Sequence, residues 1–203
     1  MKFVRVITPA AALFVAACVS PVEVLQPISP AIKSASQVAD VEVKLSTLAR
    51  GAMAKFEEKA REKRTAAGLP PIDASAEMTS RPTRDHYSTL PFEQMFELVV
   101  QDVTRERGLN GGRPIKLNVE IDTLKTANAG MAVLLGSNDQ LAGVVKISDP
   151  ANGEKLGEFY VDVINSHSGL LGLAMRGGGI REELAEEFAI HISRQLTVDK
   201  KSK

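Results

Sequence analysis

The stretch IKLNVEID, residues 115–122, alternates Ile115, Leu117, Val119 and Ile121 with Lys116, Asn118, Glu120 and Asp122. Successive side chains of a strand point to opposite faces, so this pattern commits one sheet face to a dry core and the other to water. Two further strand-like runs follow, LAGVVKISD (141–149) and KLGEFYVDVI (155–164). They are joined through DPANGE, whose Pro, Asn and Gly suit a hairpin turn. Three consecutive strands of this kind predict an antiparallel meander, and its apolar face demands a covering layer.

Helical periodicity supplies that layer. Ser46 or Thr47 can cap a helix on which Leu48, Ala49, Ala52, Met53, Phe56 and Ala60 recur at helical spacing. Its other face, KFEEKAREKR, reads as solvated, with Glu57 and Arg61 set for an i,i+4 pair. A second helix is predicted from about Thr89-Leu-Pro91 to Gly108, with Phe92, Met95, Phe96, Val99 and Val103 as its apolar stripe. A third, about Ile180 to Leu196, turns Ile180, Leu184, Phe188 and Ile192 inward, with His191 on or beside that stripe. Ahead of all three, VADVEVKL (38–45) reads as a half-buried strand whose place in the sheet is open. KTANAGMAVLLGSNDQ (125–140) is ambiguous between short helix, irregular strand and loop, whereas GLPPIDASAEMTSRP (68–82) reads as a loop. The expected fold is α+β: a small antiparallel sheet, a three-strand meander plus a possible fourth strand, with about three helices packed on one face. A single domain spans residues 38–197, and 198–203 form a disordered basic tail.

The first eighteen residues carry a different message. Lys2 and Arg5 precede an uncharged run from Val6 to Ala17, the charge-then-apolar order of a secretory signal. As a helix those residues would reach about 18 Å against about 30 Å of bilayer hydrocarbon, too short for a lasting span. The run ends at Cys18, the one cysteine of the chain. Val15-Ala16-Ala17-Cys18 resembles the lipobox of bacterial lipoprotein precursors. The resemblance implies cleavage after residue 17 and a lipidated Cys18 as the first mature residue. Val19, in place of the Asp associated with inner-membrane retention, then implies the outer membrane, periplasmic face. Several acyl chains, each buried CH₂ contributing about 0.8 kcal/mol, anchor stably. The alternative is an ordinary signal peptide cut elsewhere, with Cys18 incidental. Residues 18–37, with Pro21, Pro27 and Pro30, read as the lipidated cysteine and a flexible tether.

Candidate sites are few. SHSGLLGLAMRGGGIREE (166–183) places Gly177, Gly178 and Gly179 before the last helix, between Arg176 and Arg181. Helix N-termini attract anions, yet no phosphate-loop Gly-Lys-Ser/Thr follows, and Glu182, Glu183, Glu186 and Glu187 would repel an anion. Leu170, Leu171, Leu173 and Met175 offer an apolar tip that could dock on a partner or lipid, or fold over the sheet end. His86, His167 and His191 share no metal-like spacing, so no metal or cofactor is expected. Ser166 and His167 beside Asp162 meet one part of what a hydrolase needs, and Asp85-His86 less.

Basic and acidic residues balance at 25 each, with no basic stripe, which sets nucleic-acid binding aside. Residues 115–196 also resemble small α/β lipoprotein domains of Gram-negative envelopes, through the turn residues Asp149, Gly153 and Glu154. That resemblance implies periplasmic placement and partner binding. The expected function is a lipid-anchored, non-catalytic accessory or assembly factor that binds another envelope protein. The alternatives are a small-ligand or anion sensor using the Gly-rich loop, and a hydrolase.

Overall fold

The computed structural model describes residues 21–66, 68, 90–125, 138–165 and 180–197. Within them the chain runs β1 (Val22–Gln26), α1 (Pro30–Ser34), β2 (Ser36–Leu45), α2 (Thr47–Ala66), α3 (Phe92–Glu106), β3 (Arg113–Lys125), β4 (Asp139–Ser148), β5 (Lys155–Asn165) and α4 (Ile180–Leu196). The five strands form one sheet in the order β1-β5-β4-β3-β2. β3, β4 and β5 are the expected meander, antiparallel throughout, with the 149–154 turn closed by Asp149 N–H donating to Glu154 O at 2.9 Å. Gly153 sits at φ 74° in that turn, a conformation glycine adopts without penalty.

Three expectations need correction. The sheet is mixed rather than antiparallel, because β2 pairs parallel to β3, Val41 with Leu117 and Val43 with Val119. Between these strands the described residues of 46–112 include the helices α2 and α3, and a helical crossover of that kind returns the chain in the same direction.

The expected tether, 18–37, is built into the domain from Pro21 onward. β1 pairs antiparallel with β5 as a fifth strand, and α1 is a fourth helix. Ser29 caps α1 by accepting from Ile32 N–H at 3.4 Å, and Pro30 stands in its first turn, where it needs no N–H donor. Ile28 and Ile32 are buried in the common core, and Ile28 lies over Gly157, where a Cβ would come within 2.6 Å of it. The prolines thus bracket short elements instead of preventing them.

The third correction concerns α2. Ser46 caps it as expected, accepting from Ala49 N–H at 3.2 Å, but Leu48 faces solvent at 84% exposure.

All four helices contribute to one core. Ile115, Leu117, Val119 and Ile121 of β3, Leu141, Val145 and Ile147 of β4, and Phe159, Val161 and Val163 of β5 point into it. α3 adds Phe92, Met95, Phe96 and Val99; α4 adds Leu184, Phe188 and Ile192. The two helices meet through Phe96 and Phe188, whose rings stand edge to face at 5.3 Å. α2 inserts Ala49 and Met53 into the same cluster. Gly108, at φ 84°, ends the chain's run through α3, as its position predicts.

The two ends of the sheet differ. At one end lie the 149–154 turn and the entry to β3. At the other, Lys125 pairs with Gln140 and Asp139 with Asn165, while Asp162 N–H donates to Pro21 O at 2.8 Å where β1 begins. β2 also hands over to α2 at this end, through Ser46 N–H donating to Ile121 O at 2.8 Å.

Candidate functional site

The sheet face away from the helices is polar. Alternation places Glu42, Lys44, Lys116, Asn118, Glu120, Lys146, Glu158, Tyr160 and Asp162 there, at the positions between core residues. Its charges answer one another along and across strands. Lys116 Nζ lies 2.9 Å from Asp40 and 3.0 Å from Glu42, and Lys44 lies 2.6 Å from Glu42. Bonds from Lys44 and Lys116 hold the Glu42 carboxyl down to about 2. Lys146 approaches Glu120 at 3.6 Å, and together with Glu42, Lys44 and Asn118 they line a shallow depression. Towards β5, Tyr160 reaches across β4 to donate to Asp122 at 3.2 Å. Partial burial, then the Asp122 charge, raises the phenol pKa. Gln140 Nε2 donates to Asp162 Oδ1 at 2.7 Å. Such a face offers alternating charge and hydrogen-bonding groups over a broad, nearly flat area. It is a shallow, open surface and not an enclosed, apolar-lined pocket.

Both sheet edges are accessible to neighbours in different degrees. On β2, both neighbouring helices reach the strand: Glu97 of α3 accepts from Val43 N–H at 3.3 Å, and Arg50 of α2 donates to Leu45 O at 3.5 Å. Charged side chains that occupy edge groups in this way discourage pairing with another strand. Glu97 bears a cost for it, since burial raises its pKa, as do the nearby Asp40, Glu42 and Glu93, while the Val43 N–H opposes them. β1, the other edge, exposes Val24 and Leu25 by about half, at 52% and 49%.

At the head of α4 the structure decides against one expected ligand residue. Arg181 is 4% exposed, and its guanidinium donates to Glu57 Oε1 and Leu90 O, both at 3.0 Å, and to Glu182 Oε1 at 3.2 Å. Glu57 in turn accepts from Phe92 N–H at 2.9 Å, satisfying the first backbone donor of α3. Arg181 is therefore a brace between α2, α3 and α4. Glu57 is committed to that brace and not to the i,i+4 pair with Arg61 that its spacing predicts. His191 is buried, as its place beside the stripe implies; burial foremost, and Arg194, lower its pKa, while Glu187 at 3.9 Å raises it.

Cys18, the loop residues Leu170, Leu171, Leu173, Met175, Arg176, Gly177, Gly178 and Gly179, and the basic tail 198–203 lie outside the described residues. So do Asp85, His86, Ser166 and His167, leaving Asp162, held by Gln140, as the described member of the hydrolase set. Among the described residues, no three His, Cys, Asp or Glu side chains gather where a metal ion could sit. No described helix is long and apolar enough to cross a membrane.

No family model matches this chain, and no curated protein does. The fold is similar in outline to solved structures of the PelC dodecamer from Paraburkholderia phytofirmans. One, a point variant, is 12% identical over 88% of this chain and 99% of that one, with a TM-score of 0.42. Another crystal form gives 12% identity, 87% and 98% coverage and a TM-score of 0.44. A presumptive lipoprotein from Caulobacter crescentus is 18% identical over 50% of this chain and 80% of that one, at 0.30. Scores this low make them likenesses of outline alone.

Proposed function

We propose that this chain is a lipid-anchored protein of the bacterial envelope, facing the periplasm from the outer membrane, that serves as a non-catalytic accessory or assembly factor for another envelope protein. The observation that carries the reading is Val15-Ala16-Ala17-Cys18 behind Lys2, Arg5 and an uncharged run. The broad charged sheet face and the half-exposed Val24 and Leu25 supply surface for a protein partner. The sensor reading loses support, because Arg181 is spent inside the fold.

Metabolic labelling with a fatty-acid analogue tests the anchor: wild type takes the label and Cys18→Ser does not. An unmodified thiol at position 18, or a mature N-terminus beyond it, overturns the proposal. A photo-crosslinking residue at Lys146 tests the partner. A discrete adduct with an envelope protein, lost in Cys18→Ser, is the expected result; crosslinks indistinguishable from those of a residue placed at the remote turn position Asn152 refute it.

A further inference from the structure

We infer that the end of the sheet where Lys125, Asp139, Asn165 and Pro21 meet lies against a lipid bilayer, with Leu48 and Ile164 at the contact. The inference rests on the anchor proposed above and adds an orientation to it.

The chain enters the fold at this end and nowhere else near residue 18. Pro21 O is fixed to Asp162 N–H at 2.8 Å. Cys18 stands three positions before Pro21, and three residues of extended chain span at most about 11 Å. β5, with 11 residues, extends about 36 Å at the usual rise per residue, so the 149–154 turn stands far from the anchor. A domain held this closely has little freedom to tumble away from the surface.

Of the exposed large apolar side chains among the described residues, Leu48 at 84% and Ile164 at 55% both lie at this end. They belong to opposite sides of the sheet. Ile164 is on β5, and Leu48 follows β2, the far edge strand. A bilayer lying along one edge would touch one of them; a bilayer across the end touches both. The β1 edge is also less suited to lipid, because exposed Glu23 sits among its apolar residues.

The acids closest to this end are partnered or buried: Asp139 is buried, Asp162 is held by Gln140, Asp122 by Tyr160, and Glu93 at the start of α3 by Arg50 at 3.3 Å. Lys125 is exposed there, with a stem long enough to reach headgroups. The opposite end carries Asp102, Glu106, Asp149 and Glu154. Exposed apolar side chains beside an acylated residue are what a bilayer interface accepts most cheaply.

The test uses the full chain and the fact that acylation consumes its native thiol. Leu48→Cys and Ile164→Cys mark this end, Val24→Cys the β1 edge and Asn152→Cys the remote turn. Each is labelled with a nitrobenzoxadiazole dye and bound to phosphatidylethanolamine–phosphatidylglycerol vesicles containing a doxyl-lipid quencher. Quenching at positions 48 and 164 at least twice that at 24 and 152 is the expected result. Equal quenching at all four, or more at 24 or 152, with vesicle flotation intact, overturns the orientation and leaves the anchor standing. Wild type that takes dye at Cys18, or fails to float with vesicles, overturns the anchor and the orientation with it.

Discussion

Replacing Arg181 with Met removes the guanidinium while keeping a side chain of similar length, and the structure says what is left behind. Glu57 Oε1 loses its 3.0 Å partner and Leu90 O its 3.0 Å donor, at a site where Arg181 is 4% exposed and Glu57 20%. Breaking a buried ion pair from one side costs about 3–5 kcal/mol, since the remaining charge keeps its desolvation penalty without its partner. Glu57 retains some water contact, so the low end, about 3 kcal/mol, applies. For a chain of this size each kcal/mol moves Tm by roughly 2–4 °C, which gives a fall of about 6–12 °C. Thermal and urea unfolding followed by circular dichroism read it directly. Glu57→Gln keeps an acceptor for Phe92 N–H and loses the charge, so it should cost less. The double variant should be less damaged than the sum of the two by about 1 kcal/mol or more, the mark of direct contact. Arg181→Met within about 0.5 kcal/mol of wild type, with additive effects, would refute the brace; that is the behaviour of an ordinary surface site. A guanidinium kept for an external anion would also leave the ligand-free protein unharmed.

Further consequences concern the parts that hold the sheet. Ile32→Ala should lower urea-measured stability by about 2–4 kcal/mol, because the side chain is buried in the core; a loss near zero would return 18–37 to a tether. Gly143→Ala should cost about 1–3 kcal/mol, since its Cβ would meet the Glu120 carbonyl and Ile121 backbone of β3, which cannot swing aside as a side chain could. Glu97 titrates above the ordinary 4.5, so its protonated form stabilises the fold below that value and the benefit is lost as pH climbs through the raised pKa. Glu97→Gln should accordingly exceed wild type in stability at pH 7, with the gap closing below pH 4.5; a constant gap across pH would contradict the assignment.

Much of the architecture was written in side-chain periodicity. β3, β4 and β5 bury one face each, and one-sided burial is what alternation records. The α3 stripe likewise survives in the structure, with Phe92, Met95, Phe96 and Val99 inside. β1 escaped because its burial does not alternate: Glu23, Val24 and Leu25 are all exposed, in a five-residue strand between two prolines. The parallel partner of β2 is also silent in the sequence, because no local turn sets a register that spans residues 46–112. Leu48 keeps helical spacing but sits in the first turn of α2, beyond the reach of the core. Arg181 beside three glycines reads as a ligand residue, and its true partner, Glu57, is 124 positions away. The candidate anchor was legible at once, because a lipobox depends on sequence alone.

Among the described residues, the pairing of β1 with β5 joins the first strand to the last. Any process that delivers the polypeptide N-terminus first, ribosomal synthesis or threading across a membrane, brings out Val22–Gln26 long before Val161 arrives to receive it. Until then Val24, Leu25 and the backbone of that strand have no native neighbour, and a holdase would find its substrate there. The slowest step in maturation should be the closing of this long-range seam, with the β4–β5 hairpin already formed around its six-residue turn.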